Sequence, residues 1–265
     1  MNRKTTPLRR RLDSELVRRG LADTRTSAHA AIVSGRVVVS GRPTAKPATL
    51  VAPDEPIELA TAESDWASRG GIKLAAALDE FGVLPEGLNA LDVGASTGGF
   101  TDVLVSRGAA RVVALDVGYG QLLWRLRTHP AVVVVDRTNF RTADPSSLGG
   151  PFDLVVMDVS FIGAGVLAPM LARAGRPGTD YVVLVKPQFE VGPKRVGRGG
   201  IVHDPAAHRD AVRSVAIALS AAGIGVLQAA PSPIAGAKGN REFLVHGRLG
   251  APGLDPDQIL ALAVP

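Results

Sequence analysis

Short apolar runs alternate with helical segments along the chain from residue 69 onward. Apolar runs predict strands at 89–95, 110–118, 131–137, 152–160 and 181–186, and helical spacing predicts helices at 71–81, 100–108, 121–127 and 165–174. A helix at 205–222 and strands at 225–231 and 242–249 follow. Apolar strands that alternate with helices are typical of a mostly parallel sheet covered on both faces. The pattern predicts an α/β domain with a Rossmann-like sheet.

The N-terminal part of the chain has a different pattern. Apolar positions at helical spacing predict a helix over 12–20 and a second helix that Thr26 or Ser27 caps. Short β segments follow, and Ser40 and Gly41 predict a tight turn between two of them. Two helices feeding a small sheet predict a separate, small α+β domain.

Charge separates the same two parts of the chain. We expect the small domain at residues 1–62, a linker at 63–68 and the α/β domain at 69–265. Residues 1–50 carry 11 Lys+Arg against 3 Asp+Glu, a net +8, whereas residues 51–265 carry 19 against 22, a net −3. Clustered positive charge is typical of a protein that binds a polyanion, although a solvated charged face would give the same composition.

Composition excludes several classes of protein. The chain has no cysteine, which excludes disulfides, thiolate zinc sites and cysteine-bound iron–sulfur clusters. Its five histidines show no metal-ligand spacing, so we expect no metal. No apolar run approaches about 18 residues, and the basic start lacks the apolar core of a secretion signal. We therefore expect a cytoplasmic protein that does not span a membrane.

The run LDVGASTGGF, residues 91–100, lies where the first strand of the α/β domain meets its helix. Glycines there allow a sharp turn and the close approach of a ligand. A phosphate-binding P-loop needs a lysine that is missing, and a dinucleotide site is weakened by Ser96 at the second glycine position. S-adenosylmethionine, which has no phosphate, fits better, and a purely structural turn is the alternative. The predicted cofactor contacts in this run are Asp92, Gly94, Ala95, Ser96, Thr97 and Gly98.

Three further polar residues follow the next two strands. Asp116 ends the second strand, where a carboxylate can accept hydrogen bonds from ribose hydroxyls. Asp136 and Asn139 follow the third strand and could reach the adenine, although a role in a surface loop is equally compatible with their positions.

Four charged residues are predicted to converge at the same crevice. Asp158 and Lys186 end the fourth and fifth strands, and Glu242 opens a later antiparallel strand. Lys73 lies on the helix before the first strand. Each alone could be a solvated charge or an ion pair, but together they predict a catalytic cluster.

The segment 187–203 contains four glycines together with Lys194, Arg195 and Arg198. Loops longer than about 12–15 residues without secondary structure are usually functional or disordered. We expect this loop to close over RNA, with simple flexibility as the alternative.

Two resemblances give these patterns a specific meaning. The run RLDSELVRRGLADTRTSAHAAIVSGRVVVSG resembles the small αL RNA-binding domain of ribosomal small-subunit protein four, although that family usually has asparagine where this chain has Ser40. The resemblance implies RNA contacts from the arginines on this domain, which are Arg10, Arg11, Arg18, Arg19, Arg25 and Arg36.

The remainder resembles the TlyA family, close to the FtsJ-like 2′-O-ribose methyltransferases. The matching runs are SRGGIKL, LDVGASTGGFTDVL, DVGYGQL, DLVVMDVSFI, LVKPQFEVG, GGIVHDP and GNREFL.

The TlyA resemblance implies an S-adenosylmethionine-dependent methyltransferase that acts on cytidine riboses of ribosomal RNA within ribosomal subunits. The family's Lys-Asp-Lys-Glu tetrad corresponds to Lys73, Asp158, Lys186 and Glu242. Lys186 would be the general base that takes the proton of the 2′-hydroxyl, Asp158 and Glu242 would orient the two lysines, and Lys73 would position the ribose. The family usually has an arginine where this chain has Ser64.

Two other functions remain as alternatives. The family's older naming suggests a haemolysin, but membrane lysis needs an apolar helix or amphipathic hairpins, and neither is visible in the sequence. An RNA-binding protein with an inactive methyltransferase domain is the second alternative, and the complete tetrad argues against it.

Overall fold

The structure is a computed structural model that describes residues 9–22, 24–33, 35, 37–44, 46–59, 66–236 and 238–264. The chain divides into two compact units, Met1–Asp65 and Trp66–Pro265. The division lies within the predicted linker. Arg36 and Ser64, which the sequence singled out, lie outside the described residues.

The N-terminal unit contains two helices and short antiparallel strands. In chain order these are β1 (Arg10–Arg11), α1 (Leu12–Arg18), α2 (Arg25–Val33), β2 (Val37–Val39), β3 (Arg42–Pro43), β4 (Leu50–Val51) and β5 (Ile57–Leu59). Strands β3, β2 and β5 form one sheet, and β1 pairs with β4. Leu12, Leu16 and Ile32 are fully buried between these elements.

Two local details of this unit follow from its turn residues. Ser40 and Gly41 have φ values of 50° and 75°, which is the backbone of a two-residue hairpin turn and confirms the predicted turn. The predicted cap of α2 was wrong. The hydroxyl of Thr24 accepts the N–H of Ser27 at 3.1 Å, and the hydroxyl of Ser27 accepts the N–H of Thr24 at 3.0 Å. Thr24 therefore caps the helix, because Thr26 and Ser27 already lie inside it.

The second unit contains the large sheet and seven helices among its described residues. Its strands are β6 (Asn89–Val93), β7 (Arg111–Leu115), β8 (Val132–Val135), β9 (Phe152–Met157), β10 (Gly175–Val185), β11 (Ile224–Pro231) and β12 (Phe243–Leu249). Its helices are α3 (Gly70–Phe81), α4 (Gly99–Ser106), α5 (Trp124–Arg127), α6 (Ala168–Ala174), α7 (Pro187–Glu190), α8 (Pro205–Ala221) and α9 (Pro256–Ala263). This arrangement confirms the predicted α/β class.

The sheet order is β11-β12-β10-β9-β6-β7-β8. Strands β6 to β10 are parallel to one another, and β12 is antiparallel to both of its neighbours. Leu91 and Val155 pack with α6, α8 and α9 on one face of the sheet. Ala90 and Leu154, one residue away on the same strands, pack with α3 and α4 on the other face. This alternation leaves the carboxyl edge of the parallel strands for a site.

Three segments of the second unit also differ from the sequence interpretation. Strand β10 begins at Gly175, whereas the apolar run predicted a strand from 181. The segment 187–203 is not structureless, because it contains α7 and two 3₁₀ turns, Pro193–Arg195 and Arg198–Gly200. Helix α9 was not predicted, although Asp255 caps it in a capping box with Gln258. Among the described residues, no helix is long and apolar enough to cross a bilayer.

Candidate active site

Lys186 and Asp158 form an ion pair at the carboxyl edge of two neighbouring strands. Asp158 follows β9, and Lys186 follows β10 and precedes Pro187, the first residue of α7. Lys186 Nζ lies 2.5 Å from Asp158 Oδ1, and it donates to Ser160 Oγ at 3.0 Å. Because both strands are parallel and adjacent, their last residues meet at one point of the edge. The pair is mostly, but not fully, shielded from solvent.

Lys73 and Glu242 form a second and more deeply buried ion pair. Lys73 Nζ donates to Glu242 Oε2 at 2.5 Å, and only 9% and 3% of the two side chains are exposed. Glu242 reaches this edge because β12 runs antiparallel and begins where β10 ends. A side chain at Gly236 would overlap Glu242, so the 232–241 loop covers this carboxylate closely.

The two pairs lie at the same end of the sheet. A Cβ atom at Gly70 would lie 3.8 Å from Asp158 Oδ2, so the first turn of α3, which carries Lys73, adjoins Asp158. The four residues predicted from the sequence are thus placed as two lysine–carboxylate pairs at one rim. Such an arrangement can hold a hydroxyl group by hydrogen bonds and move its proton.

Asp92 is placed differently from the expectation that it faces a cofactor. Its side chain is fully buried, and Oδ2 accepts the hydroxyl of Thr101 at 2.6 Å. Oδ1 has no hydrogen-bond partner among the described residues. Burial raises the pKa of Asp92 to about 7, and the nearby carboxylates of Asp158 and Asp116 add to this effect. Asp92 therefore supports the start of α4 from inside the sheet.

The glycines of the turn are required first by packing inside the protein. Gly94 has φ +88°, and a Cβ atom there would lie 2.4 Å from the carbonyl oxygen of Asp158. Gly98 has φ +103°, and its Cβ atom would strike Leu126 and Leu122. Ser96, at the tip of the turn, is exposed, whereas Ala95 is buried and Thr97 is half-buried. The predicted contacts of this turn are therefore limited to its exposed backbone and the side chains of Ser96 and Thr97.

Asp116 organises the loops around this turn. Its carboxylate accepts the N–H of Ser96 at 2.8 Å and the N–H of Gly118 at 2.7 Å, and the side chain remains half-buried. Asp136 forms an ion pair of 2.9 Å with Arg127. Asn139 is exposed, and its side-chain oxygen accepts the N–H of Arg141 at 3.0 Å. That contact is a local Asx turn, in agreement with the surface-loop alternative.

The chemistry of this edge fits a cationic cofactor without a phosphate group. Three carboxylates lie just beyond the ends of three of the parallel strands, and they belong to Asp116, Asp136 and Asp158. Residues 92–100 contain no lysine or arginine that could pair with a phosphate. The cluster is complementary to a sulfonium and an ammonium group, which S-adenosylmethionine carries. Within the described residues, no group of three or more His, Cys, Asp or Glu side chains could hold a metal ion.

An aromatic pair beside Lys186 was not singled out in the sequence. The rings of Phe161 and Phe189 lie 5.5 Å apart between centroids, and Phe161 is 93% exposed. Together with 192–200 they line an open pocket of about 520 Å³. The available signal was an aromatic residue shortly after each of two charged strand ends, in DVSF and KPQF.

Four of the predicted RNA-binding arginines of the N-terminal unit surround two buried acids. Asp13 binds Arg11 and Arg25, and Glu15 binds Arg18 and Arg19. These hydrogen bonds hold the pKa of Asp13 well below its usual range. Arg10 is exposed.

Arg19 is the most enclosed of these arginines. Its guanidinium group also donates to the carbonyl oxygens of Ala52, Pro53 and Glu55 at 2.8–3.1 Å. Its donors are therefore directed into the unit, whereas about half of each of Arg11, Arg18 and Arg25 faces solvent.

The three basic residues of the 187–203 segment also differ from one another. Arg195 forms ion pairs with Asp204 and Asp210, so its charge is neutralised locally. Lys194 and Arg198 are exposed beside the pocket lined by the aromatic pair.

Comparisons with known proteins match both units of the chain. Residues 66–249 match the FtsJ-like methyltransferase family, and residues 10–57 match the S4 domain. These matches confirm the two domain types that the sequence resemblances implied.

Individual relatives match nearly the whole chain. The 16S/23S rRNA (cytidine-2′-O)-methyltransferase TlyA of Mycobacterium tuberculosis is 47% identical over 254 residues, which cover 93% of this chain and 95% of the relative. Hemolysin A of Brachyspira hyodysenteriae is 35% identical, with 89% and 98% covered. A solved structure from Streptococcus thermophilus matches with a TM-score of 0.74 at 35% identity, covering 97% of this chain and 96% of that chain.

Proposed function

The chain belongs to the TlyA family of FtsJ-like methyltransferases, and on this premise we propose that it methylates the 2′-hydroxyl of cytidine in ribosomal RNA, with S-adenosylmethionine as the methyl donor. The pairing of Lys186 with Asp158 and of Lys73 with Glu242 beside an acidic cofactor edge is the observation that carries this proposal. Ribosomal subunits are the substrate, which places the reaction in the cytoplasm.

Lys186 is the proposed general base. Lys186 Nζ would take the proton of the 2′-hydroxyl as its oxygen bonds to the methyl carbon. The bond from that carbon to the sulfur would break at the same time, and the sulfur would leave as a neutral thioether. Asp158 and Ser160 hold that amine by contacts of 2.5 and 3.0 Å, so its position relative to the ribose is fixed before the substrate binds.

Lys73 is the proposed positioner of the ribose, and Glu242 orients it. Because Glu242 is almost fully buried, its carboxylate accepts the lysine in one defined geometry. Lys73 can then donate a hydrogen bond to the ribose without leaving its partner, since an ammonium group has three donors.

Asp116, Asp136 and the exposed part of the 94–98 turn are the residues that would hold S-adenosylmethionine. When bound, it supplies an activated methyl group on a cationic sulfur. Asp116 would accept the ribose hydroxyls of the cofactor, and the surrounding carboxylates would balance its charge. Asn139 would contribute to this site only if its Asx turn opened.

RNA is proposed to contact both units. Phe161 and Phe189 offer apolar ring surface beside Lys186, which suits a base taken out of its stack. Lys194 and Arg198 would bind the neighbouring phosphates, and the exposed arginines of the N-terminal unit would add further contacts to RNA. Arg19 would instead stabilise its own unit, and Arg195 would hold the 193–204 segment in place.

Transfer of a labelled methyl group tests the proposal. Purified ribosomal subunits from cells that lack this activity are incubated with the protein and methyl-labelled S-adenosylmethionine, and the labelled nucleoside is identified. Label on the 2′-oxygen of cytidine is expected, and none is expected with Lys186→Ala. Label on a base, or no label on any ribosomal RNA, would reject the proposal.

A further inference from the structure

Glu190, the last residue of α7, binds the start of another helix. Its side chain accepts the backbone N–H of Ala164 at 2.6 Å and also that of Gly165. These residues begin the helical segment 164–174, which consists of a 3₁₀ turn followed by α6. A carboxylate at this position satisfies N–H groups that have no partner inside the helix.

The fit around Glu190 is tight. A Cβ atom at Gly163 would lie 2.8 Å from Glu190 Oε2 and 3.3 Å from the carbonyl oxygen of Phe189. Gly163 has φ −67° and ψ 135°, values that any residue adopts. The glycine is therefore required by the space that the carboxylate occupies and not by its backbone conformation. Burial raises the pKa of Glu190 to about 7, so its surroundings disfavour the charged carboxylate. The side chain is held instead by its hydrogen bond to Ala164 and by close packing against Gly163.

This contact closes a clasp between two segments of the site, 158–164 and 186–190. At one end, Lys186 binds Asp158 and Ser160. At the other end, Glu190 binds Ala164. Each segment is therefore attached to the other at both of its ends.

Phe161 and Phe189 lie between the two ends of the clasp. Phe161 has φ +69°, a left-handed conformation that is rare for an aromatic residue, and its ring is almost fully exposed. An exposed ring adds little to the core, and strained backbone persists only where its surroundings hold it. The clasp supplies that constraint from both sides.

We infer that Glu190 is a positioning residue that sets Phe161 against Phe189 and so fixes the base of the target nucleotide relative to Lys186. The inference rests on the proposed function, because it assumes that RNA is the substrate of this site. Glu190 acts through Phe161 and touches neither the ribose nor the cofactor.

A double-mutant cycle separates this role from general structural support. Glu190→Ala is expected to lower kcat/KM for ribosomal subunits about 10- to 100-fold, the order of loss that follows when a reacting group is displaced by about 1 Å. Its Kd for S-adenosylmethionine should stay that of the wild type. If Glu190 acts through Phe161, the variant with both Glu190→Ala and Phe161→Ala is no slower than Phe161→Ala alone. Glu80→Ala, an exposed glutamate at the end of α3, is the matched control and should behave like the wild type.

Gly163→Ala tests the same contact from the other side. The new methyl group would displace the Glu190 carboxylate, so kcat/KM should fall as in Glu190→Ala. In the Glu190→Ala background the same substitution should have no effect, because the group that it strikes is gone. Glu190→Gln keeps one acceptor oxygen for Ala164 and should recover part of the lost activity.

Three outcomes are decisive. Wild-type kcat/KM in Glu190→Ala, or losses from Glu190→Ala and Phe161→Ala that multiply, would overturn the inference while the proposed function stands. A wild-type protein that transfers no methyl group to RNA would reject the proposed function itself. If Glu190→Ala fails to fold, Gly163→Ala and Glu190→Gln decide the matter by the same comparison with Phe161→Ala.

Discussion

The amine of Lys186 lies 2.5 Å from the carboxylate of Asp158 because β9 and β10 are neighbouring parallel strands that end at the same edge. The contact depends on the register of the two strands, and that register is fixed by the buried residues Val155 and Val183 on them. The register of the parallel strands and the proposed chemistry therefore meet in a single ion pair.

Replacing Lys186 tests its proposed role as a base. Lys186→Ala should lower kcat by about 10²–10⁴-fold, the usual contribution of general acid–base catalysis, and leave the Kd of the cofactor unchanged. Lys186→Arg is the matched control, because arginine keeps the ion pair with Asp158 but does not lose its proton at neutral pH. Inactivity of both variants supports a base. An active Lys186→Arg enzyme would show that Lys186 acts only as a positioned cation.

The losses of stability on removing Lys73 and Glu242, which form a buried pair, should not be additive. Either Lys73→Met or Glu242→Gln leaves an unpaired polar group where less than a tenth of each side chain is exposed. We expect each to lower the free energy of unfolding by about 3–5 kcal/mol, and the double variant to lose less than the sum. Urea unfolding measures all three. Asp257→Asn, which breaks an exposed pair with Arg213, is the control and should cost less than about 1 kcal/mol.

Asp92 should make stability depend on pH in a defined direction. Its pKa rises from 3.8 to about 7 on folding, mainly because of burial, so the folded state holds this proton more tightly than the unfolded state. The free energy of unfolding that protonated Asp92 contributes is therefore fully present below pH 4 and is lost as the pH rises to about 7. At about 1.4 kcal/mol per pKa unit, the loss is about 4 kcal/mol.

Asp92→Asn removes this proton and keeps an acceptor for Thr101. The free energy of unfolding of the variant minus that of the wild type should rise between pH 4 and pH 7 and then stay level. Denaturant unfolding across this range measures the difference. A difference that does not change with pH would show that Asp92 is not a buried acid in solution.

Arg10 and Arg19 should respond in opposite ways to the same substitution. Arg19→Ala removes hydrogen bonds to Glu15 and to three carbonyl groups, so it should lower the stability of the N-terminal unit by about 1–3 kcal/mol. Arg10→Ala should leave stability unchanged and weaken RNA binding. It should also reduce the slope of log Kd against log salt concentration by about one, the contribution of one phosphate contact. Thermal unfolding and RNA titrations at several salt concentrations distinguish the two. A stable Arg19→Ala protein with weakened RNA binding would reverse this assignment.

Much of the fold could be predicted because its signals are local. Strands β6, β7 and β9 are short apolar runs bounded by polar residues, and so is 181–185, the apolar end of β10. Asp204–Pro205 begins α8 as its cap and proline indicate. The tight turn at Ser40–Gly41 likewise depends only on its own two residues. Helix α9 had an equally local signal in Asp255 and Gln258, which the sequence interpretation overlooked.

The site could be predicted only in part, because its contacts join distant segments. Strand ends identify Asp158 and Lys186 as neighbours, but nothing local indicates that Lys73 would bind Glu242 or that Asp92 would turn away from the crevice. The same limit applies to Arg19, whose sequence context is that of an RNA-binding arginine while its contacts are internal. Side-chain direction and long-range pairing are decided by packing, which a single sequence does not display.

The place of β12 in the sheet has a consequence for biosynthesis. This strand, the last along the chain among the described residues, inserts between β10 and β11, and it brings Glu242 with it. During translation, β10 and β11 leave the ribosome before the strand that joins them, so each has an open edge until residue 249 has emerged. A chain that stops before β12 would therefore lack both the strand that joins β10 to β11 and the partner of Lys73.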